Sequence, residues 1–382
     1  MGNLFNERKE KSTKGELLSV TLSNGVTKFS DLNKKDNSNI KSGNYKVVKK
    51  NDIPYNSMRM WQGASGVSSY DGIVSPAYTV LVPNRNSNSN FYAVLFKKKS
   101  ILNLFTRFSQ GLTSDTWNLK YPILKDIIVP FTNLEEQKRI FKIFNVINNL
   151  LALYERKLKL LSKTKKYFLQ KLFVNGMQKH PVIRFREFND DWKEKKLTQL
   201  FKISNETNLD NKLCFSKQDV LSVSDKFGVV NQIKLQGRSF AGNNISKYKV
   251  VRNNQIVYTK SPLKDKPYGI IKIVSNIKGI VSPLYIVNNV IGNNAWFIYY
   301  YFDLKSRTNN YLKPLVRLGA KHTMNITDKE WLSGKIFISE VIQEQEKIAN
   351  LLNMIDKLIR LNEQQLSNLE ELKECLLQNM FC

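Results

Sequence analysis

Residues 134–173 read LEEQKRIFKIFNVINNLLALYERKLKLLSKTKKYFLQKLF, and residues 342–381 read IQEQEKIANLLNMIDKLIRLNEQQLSNLEELKECLLQNMF. The two stretches align at an offset of 208 residues without a gap, so that EEQKRI recurs as QEQEKI. In the first, Ile140, Phe144, Ile147, Leu151, Tyr154, Leu158, Leu161, Phe168 and Leu172 follow one another in steps of four and three, with one polar break at Lys165. The second repeats the rhythm at Ile348, Leu352, Ile355, Ile359, Leu366, Leu369, Leu376 and Met380, with breaks at Asn362 and Lys373. A period of 3.5 residues is the seam of a coiled coil. Thr132 followed by Glu135 resembles a capping box, and nothing from Leu134 to Phe173 breaks a helix. The spacing predicts a helix over each stretch, about 60 Å long at 1.5 Å per residue.

Charge says which helices pair. Between Leu134 and Phe173 there are ten Lys/Arg and three Asp/Glu; between Ile342 and Phe381 there are four and seven. Two copies of the first helix would repel each other, whereas the first and second are complementary, so an intramolecular pair is expected.

Moving outward, the duplication continues into the regions before each helix. LLSV at Leu17–Val20 matches VLSV at Val220–Val223, and YKVVKKNDIPYN at Tyr45–Asn56 matches YKVVRNNQIVYT at Tyr248–Thr259, both at offset 203. GIVSPAYTV at Gly72–Val80 matches GIVSPLYIV at Gly279–Val287 at offset 207, a drift that small loop insertions explain. The chain is therefore one unit written twice. Its divisions fall at 1–133, 134–175, 176–335 and 336–382: a domain, a helix, a domain and a helix. By the offset of 203, Met1 aligns near Ser204, so the first copy is expected to lack a counterpart of Val182–Ile203.

The 382 residues carry 60 Lys+Arg against 32 Asp+Glu, a net charge of +28. Residues 1–133 hold nineteen basic and nine acidic side chains, and residues 174–341 hold twenty-seven and thirteen. With 42% hydrophobic and 11% aromatic residues the chain is too apolar for a disordered basic tail. The excess charge sits on folded domains and points to a polyanion. The longest apolar run, Ala295–Phe302, is eight residues, far below the roughly 20 that span a bilayer. The opening MGNLFNERKEK lacks the apolar core of a signal peptide, and Asn6 stands where a myristoylation motif needs Ser or Thr. A cytoplasmic protein without membrane contact is expected. Cys214, Cys375, Cys382, His180 and His322 form no CxxC pair and no HExxH, so reduced thiols and no metal site are expected.

Each domain reads as mixed α/β. YKVV, QIVY, YGIIKIV and GIVSPLYIV are rich in Val, Ile and Tyr and are bounded by Gly, Asn and Pro, as short strands are. AWFIYYYF and its counterpart NFYAVLF at Asn90–Phe96 read as buried helices.

At this point the chain resembles the specificity subunit of type I restriction–modification systems. Two basic domains, each followed by a long helix opening on EEQ or QEQ, carry the likeness, together with RFREFNDDWKEKKLTQLF at Arg184–Phe201 and NNQIVYTKS with YGIIK. It covers nearly the whole chain. The resemblance implies an α+β protein with two target recognition domains in tandem, their helices paired as an antiparallel coiled coil. It implies a subunit with no catalysis of its own that reads a bipartite, asymmetric double-stranded DNA target, one half-site per domain, with the helices fixing the unread gap. It also implies two methyltransferase subunits and two restriction/motor subunits as partners, with S-adenosylmethionine, ATP and Mg on those partners and no cofactor in this chain.

Base readout needs Arg, Lys, Asn, Gln or hydroxyl side chains on loops, while Lys and Arg hold phosphates. The loops after the repeated strands offer Tyr55, Asn56, Arg59, Trp61 and Gln62 in the first domain and Tyr258, Lys260, Lys264, Lys266 and Tyr268 in the second. Trp61 can equally be a core residue. A second window before each long helix offers Arg107 and Gln110, then Arg317, Lys321 and His322, with Gly111 and Gly319 aligned at offset 208. The chain has no NPPY or DPPY, no GxGxxG and no GxxxxGK[ST]. The alternatives are a nucleic-acid-binding coiled-coil scaffold unrelated to restriction, and an adaptor whose basic surface is incidental.

Overall fold

The computed structural model describes every residue except 33, 34, 36, 37, 39, 41, 42, 177, 210–214, 263–265, 319–323 and 382. Contacts divide the chain into two units. One is Met1–Arg156 with Glu363–Cys382; the other is Lys157–Asn362.

In the first unit, β1 (Phe5–Glu7), β2 (Leu18–Thr21), β3 (Gly25–Lys28), β4 (Lys46–Val48), β5 (Ile53–Asn56), β6 (Gly72–Val74) and β7 (Tyr78–Pro83) precede the helices α1 (Ser89–Leu95), α2 (Lys99–Phe108), α3 (Tyr121–Leu124) and α4 (Leu134–Lys171). β1, β7 and β5 form an antiparallel sheet, while β2–β3 is a hairpin and β4 pairs β6. The second unit repeats the plan. It has β8 (Lys193–Lys196), α5 (Leu197–Leu200), β9 (Phe201–Ile203), β10 (Leu221–Ser224), β11 (Gly228–Asn231), α6 (Gln232–Gln236), β12 (Lys249–Val251), β13 (Ile256–Tyr258), β14 (Ile271–Ile273), β15 (Gly279–Val281) and β16 (Ile286–Val290). There follow α7 (Ala295–Asp303), α8 (Lys305–Leu312), β17 (Arg317–Leu318), β18 (Met324–Asn325), α9 (Asp328–Ser333), β19 (Lys335–Ile338) and α10 (Ile342–Asn379). Here the sheet runs β14-β13-β16-β9, with β10–β11 and β12–β15 as the matching pairs.

The GIVSP repeat has a steric cause. A Cβ on Gly72 would lie 2.4 Å from the Glu16 carbonyl oxygen, and one on Gly279 would lie 2.4 Å from that of Asp219. The close approach lets Leu17 bridge Ile73 and Val220 bridge Ile280 in the same parallel manner.

The alignment of the first residues is corrected by strand pairing. Glu7 faces Leu81 in β7 as Ile203 faces Asn288 in β16, and both strands begin on a Leu-Phe pair, Leu4-Phe5 and Leu200-Phe201. Met1–Glu7 therefore takes the place of Leu197–Ile203, an offset of 196 that a short motif could not reveal. What lacks a counterpart among the described residues is the stretch 182–196. The helix start is also corrected: Asn133, not Thr132, accepts the Glu136 amide at 2.9 Å, and Thr132 donates its hydroxyl to the Glu136 carboxylate.

Each unit uses half of both long helices. In the first, Phe144 of α4 and Phe381 just past α10 lie 5.7 Å apart between ring centroids, and Phe381 lies 5.1 Å from Phe91 of α1. In the second, Lys165 of α4 pairs with Asp356 of α10 and with Asp303 of α7, both at 2.7 Å. The early part of α4 thus meets the end of α10, and its later part meets the first half of α10, so the helices run antiparallel. Ile140, Phe144, Ile147, Ile348, Leu352 and Ile355 are buried, while Leu151, Leu158, Leu161, Ile359, Leu366 and Leu369 are half-buried. Apolar burial along this side, rather than helix propensity, holds helices of this length in place.

Polar groups lock each domain to its helix. Gln137 of α4 accepts the Asn88 amide at 2.8 Å and donates to the Asn86 and Thr132 carbonyls at 3.0 and 2.7 Å. Gln345 of α10 accepts the Asn294 amide at 2.8 Å and donates to Asn293 Oδ1 and the Ser339 carbonyl at 2.8 and 2.7 Å. Asn88 and Asn294 are themselves the N-caps of α1 and α7. The glutamine shared by EEQ and QEQ is thus the residue that fixes the domain helix, and both copies of it are fully buried. Arg307 of α8 donates to the Leu169 carbonyl at 2.7 Å, satisfying one of the orphan acceptors at the end of α4.

Candidate nucleic-acid interface

In the second unit the β10–β11 turn, the segment after α6 and the loop after β13 converge on a cleft of about 530 Å³, lined by Ser224, Asp225, Gln236, Phe240, Thr259 and Ser261 among others. Asn231 caps α6 by accepting the Lys234 amide, and Gly237, at φ 77°, ends it in the left-handed conformation that glycine adopts without strain. Gln232 then fixes the chain beyond: its Oε1 accepts from the Phe240 amide at 2.7 Å and the Ser239 hydroxyl at 3.3 Å, and its Nε2 donates to the Ser222 hydroxyl at 3.2 Å. The result turns Phe240 outward, 58% exposed, with the Arg238 guanidinium 4.7 Å from its ring centroid. Phe227, at the hairpin turn, is 56% exposed, with Lys226 Nζ 5.1 Å from its centroid. Exposed aromatic rings flanked by cations offer stacking faces and positive charge together, a combination suited to a ligand with flat faces and negative charge.

Beneath the cleft runs a chain of alternating charges. Lys266 pairs with Asp225 at 2.5 Å, Asp225 with Lys272 at 3.4 Å, Lys272 with Asp303 at 3.6 Å, and Asp303 with Lys165, which reaches Asp356. Burial raises the Asp303 carboxyl, but Lys165 and Lys272 outweigh it and hold it down at about 2. Asp225 is likewise pushed up by burial and brought below its ordinary value by Lys266 and Lys272. Tyr300 donates to Asp356 at 2.8 Å and to Asn353 at 2.9 Å. The cleft is thus tied through salt bridges to both long helices.

The residues singled out from sequence divide three ways. Tyr55 and Tyr258 are contradicted as contacts: both are fully buried, and Tyr258 stacks on Trp331 at 4.9 Å and donates to the Tyr268 carbonyl. They lie on short strands buried on both faces, Ile53–Tyr55 and Ile256–Tyr258, so no alternation with surface residues marks them as core. Lys264, Lys321 and His322, with Cys214, Cys382 and Gly319, lie outside the described residues. The others are placed on surfaces. Gln62, Arg107 and Gln110 are exposed, Arg59, Asn56 and Tyr268 are half-buried, and Trp61 is half-buried edge-on to Trp117 at 5.2 Å. Lys260 pairs with Asp328 at 3.8 Å and Arg317 with Glu330 at 3.0 Å, while Lys266 pairs with Asp225. Sequence reading missed Lys226, Phe227, Gln236, Arg238 and Phe240, although KF and RSF are basic–aromatic pairs that could have drawn notice.

The first unit presents a different surface on the same frame. Leu22 is exposed at the β2–β3 turn, Lys28 lies 5.5 Å from the exposed Tyr70 ring, and Phe108 at the end of α2 and Leu112 beyond it stand out. Among the described residues no group of acidic, His or Cys side chains could hold a metal, and no helix is long and apolar enough to cross a membrane. Cys375 is an exposed free thiol.

Residues 2–163 match the family model of the type I restriction modification DNA specificity domain. The putative type I restriction enzyme MjaX specificity subunit of Methanocaldococcus jannaschii is 26% identical over 322 residues, which cover 77% of this chain and 68% of that protein. The MjaVIII specificity subunit of the same organism is 27% identical over 163 residues, 41% of this chain and 37% of that protein. Among solved structures, the S subunit of a type I restriction–modification system from M. genitalium shares the fold, with a TM-score of 0.60 at 15% identity over 100% of this chain and 94% of that one. A chain from a structure on complex assembly and conformational transition of the type I R-M system gives a TM-score of 0.51 at 13% identity over 99% and 95%. The chain is thus similar over residues 2–163 to the DNA specificity domain of type I restriction–modification systems, and over most of its length to a specificity subunit of such a system.

Proposed function

We propose that this chain is the DNA-reading subunit of a type I restriction–modification complex in the cytoplasm. Each unit reads one half of an interrupted, asymmetric target, and the paired long helices set the length of the unread gap. The observation that carries this reading is the duplication itself: the same basic scaffold occurs twice, each anchored by a buried glutamine to a helix of 38 residues, about 57 Å long, while the outward loops differ. A shared frame with divergent loops suits two different half-sites, by the geometric logic of half-site spacing.

The chain is proposed to do no chemistry. S-adenosylmethionine, ATP and Mg would be held by two methyltransferase and two restriction/motor subunits docked on it. Ile143, Val146, Leu150 and Leu153 on α4 and Met354, Leu358 and Leu361 on α10 are exposed apolar side chains outside the seam, a surface suited to partner helices. Selection from a randomised duplex library by the chain copurified with its methyltransferase subunit tests the reading. An enriched bipartite motif with a fixed gap is expected; binding without sequence preference would instead indicate a general nucleic-acid scaffold.

A further inference from the structure

The hairpins β2–β3 and β10–β11 are one turn carrying two different tips. Thr21 faces Gly25 across the first as Ser224 faces Gly228 across the second, with three residues between them in each. Both turns close alike: the Thr21 hydroxyl oxygen accepts the Asn24 amide at 3.0 Å, and the Ser224 hydroxyl oxygen accepts the Phe227 amide at 3.2 Å. Gly25 and Gly228 follow at φ 61° and 73°, the left-handed position that ends a three-residue hairpin loop. Within this frame Leu22, Ser23 and Asn24 of the first unit are exchanged for Asp225, Lys226 and Phe227 in the second. The closing bonds use backbone amides, so the turn leaves the tip side chains free for other work.

Asp225 is the odd member of this basic surface. It is exposed at the tip and lines the cleft, where an acid without a task of its own would only repel phosphates. Its Oδ1 takes both lysines, Lys266 at 2.5 Å and Lys272 at 3.4 Å, while Oδ2 accepts no hydrogen bond among the described residues. Lys272 is buried and is itself held by Asp303 at 3.6 Å, so the carboxylate is seated from beneath with one oxygen left over. Lys226 and Lys266 flank it and keep the tip cationic toward a nucleic-acid backbone.

We propose that Asp225 is a specificity-determining residue of the second unit, its Oδ2 accepting a hydrogen bond from the exocyclic amino group of a cytosine or adenine in the major groove. A two-stranded ribbon fits that groove, where cytosine N4 and adenine N6 donate while guanine O6 and thymine O4 accept. An ionised carboxylate only accepts, so it favours either amino base and is repelled by the carbonyl oxygen of the other two. Every base pair places an amino group on one strand and a carbonyl on the other, so Asp225 tells a pair from its inversion. The half-site thereby gains a direction. Leu22, at the matching place in the first unit, has no polar group with which to draw that distinction. The inference rests on the DNA-reading function proposed above.

The test repeats the selection from a randomised duplex library, by the full chain copurified with its methyltransferase subunit, with Asp225→Asn and Asp225→Glu. The wild-type motif is expected to contain one base pair whose inversion lowers binding at least about tenfold. Asp225→Asn, whose amide also donates, should bind the inverted pair within about threefold of the original, with the gap and every other position unchanged. Asp225→Glu keeps the charge that pairs with Lys266 and Lys272 but moves the carboxylate outward by one methylene, and should alter the same position alone. Unfolding midpoints separate loss of fold from loss of selectivity, and Asp225→Glu carries the test if Asp225→Asn is unstable. An unchanged motif in both variants overturns the proposal and leaves DNA reading by the unit intact. So does uniform weakening in Asp225→Asn that Asp225→Glu restores, since Asp225 would then only seat the two lysines. No motif with the wild type overturns the DNA-reading function, and this assignment with it.

Discussion

The backbone N–H of Asn88 donates to Gln137 Oε1 at 2.8 Å, and Asn294 repeats the bond to Gln345 at the same distance. Each buried glutamine also donates its amide twice, so each satisfies three groups. Replacing either with Leu removes the partner of one amide and two acceptors, and about 1–3 kcal/mol of stability should be lost from the unit concerned. Urea denaturation with an unchanged m-value measures it; a loss below a few tenths of a kcal/mol would remove the glutamine's anchoring role.

Asp303 joins Lys165 and Lys272, and its carboxyl is held at about 2. A carboxyl depressed in the fold stabilises it above the unfolded value, and that contribution is lost as pH falls through the folded value. Stability of the second unit should therefore decline between about pH 4 and pH 2. Asp303→Asn should flatten the decline and cost about 3–5 kcal/mol at neutral pH, because two lysines are left buried with less compensation. Thermal unfolding across that pH range gives the comparison, and parallel curves for the two proteins would refute the assignment.

Phe240 and Arg238 stand at the rim of the cleft. Phe240→Ala should weaken binding to the selected duplex by about 1–3 kcal/mol and relax preference in one half-site only. Arg238→Ala should weaken binding to all duplexes alike and lower the salt dependence by about one phosphate contact. Tyr258→Phe, which alters a buried hydroxyl, should leave affinity unchanged. Competition assays at two salt concentrations separate these outcomes, and loss of affinity in the Tyr258 variant at full stability would return that residue to the interface.

Gly279 approaches the Asp219 carbonyl so closely that an added Cβ would sit 2.4 Å away. Gly279→Ala should cost about 1–3 kcal/mol as overpacking. Gly242 has nothing within 4 Å of the same position, and Gly242→Ala should be near neutral. Chemical denaturation of the pair checks it.

The helices and the duplication were legible because they are written in long, gapless patterns: the seam from Ile140 to Leu172 survives any local ambiguity. The buried helix Ala295–Asp303 was legible for the same reason, since eight consecutive apolar residues leave little choice. Tyr55 and Tyr258 were misread because their short strands are buried on both faces, and a continuous apolar run of three or four residues carries no in-and-out alternation to mark a tyrosine as core. The offset of 196 at the first strand escaped notice because only its pairing with β7, distant in sequence, reveals it. The cleft residues Phe227 and Phe240 lie in loops whose direction depends on Gln232 and Gly237, and periodicity carries no information about a turn of that kind.

The division of both long helices between the units has a consequence for synthesis on the ribosome. The first unit includes Glu363–Cys382, and Lys98 donates to the Phe381 carbonyl across 283 residues. Phe144 and Phe91 have no Phe381 to pack against until codon 381 is read. The recognition domain of the first unit, translated before the second unit, therefore closes only after it, and its nascent form must wait, with that apolar surface uncovered, while the whole of the other unit is made. Premature termination would not yield half a reader; it would leave the earlier half unfinished.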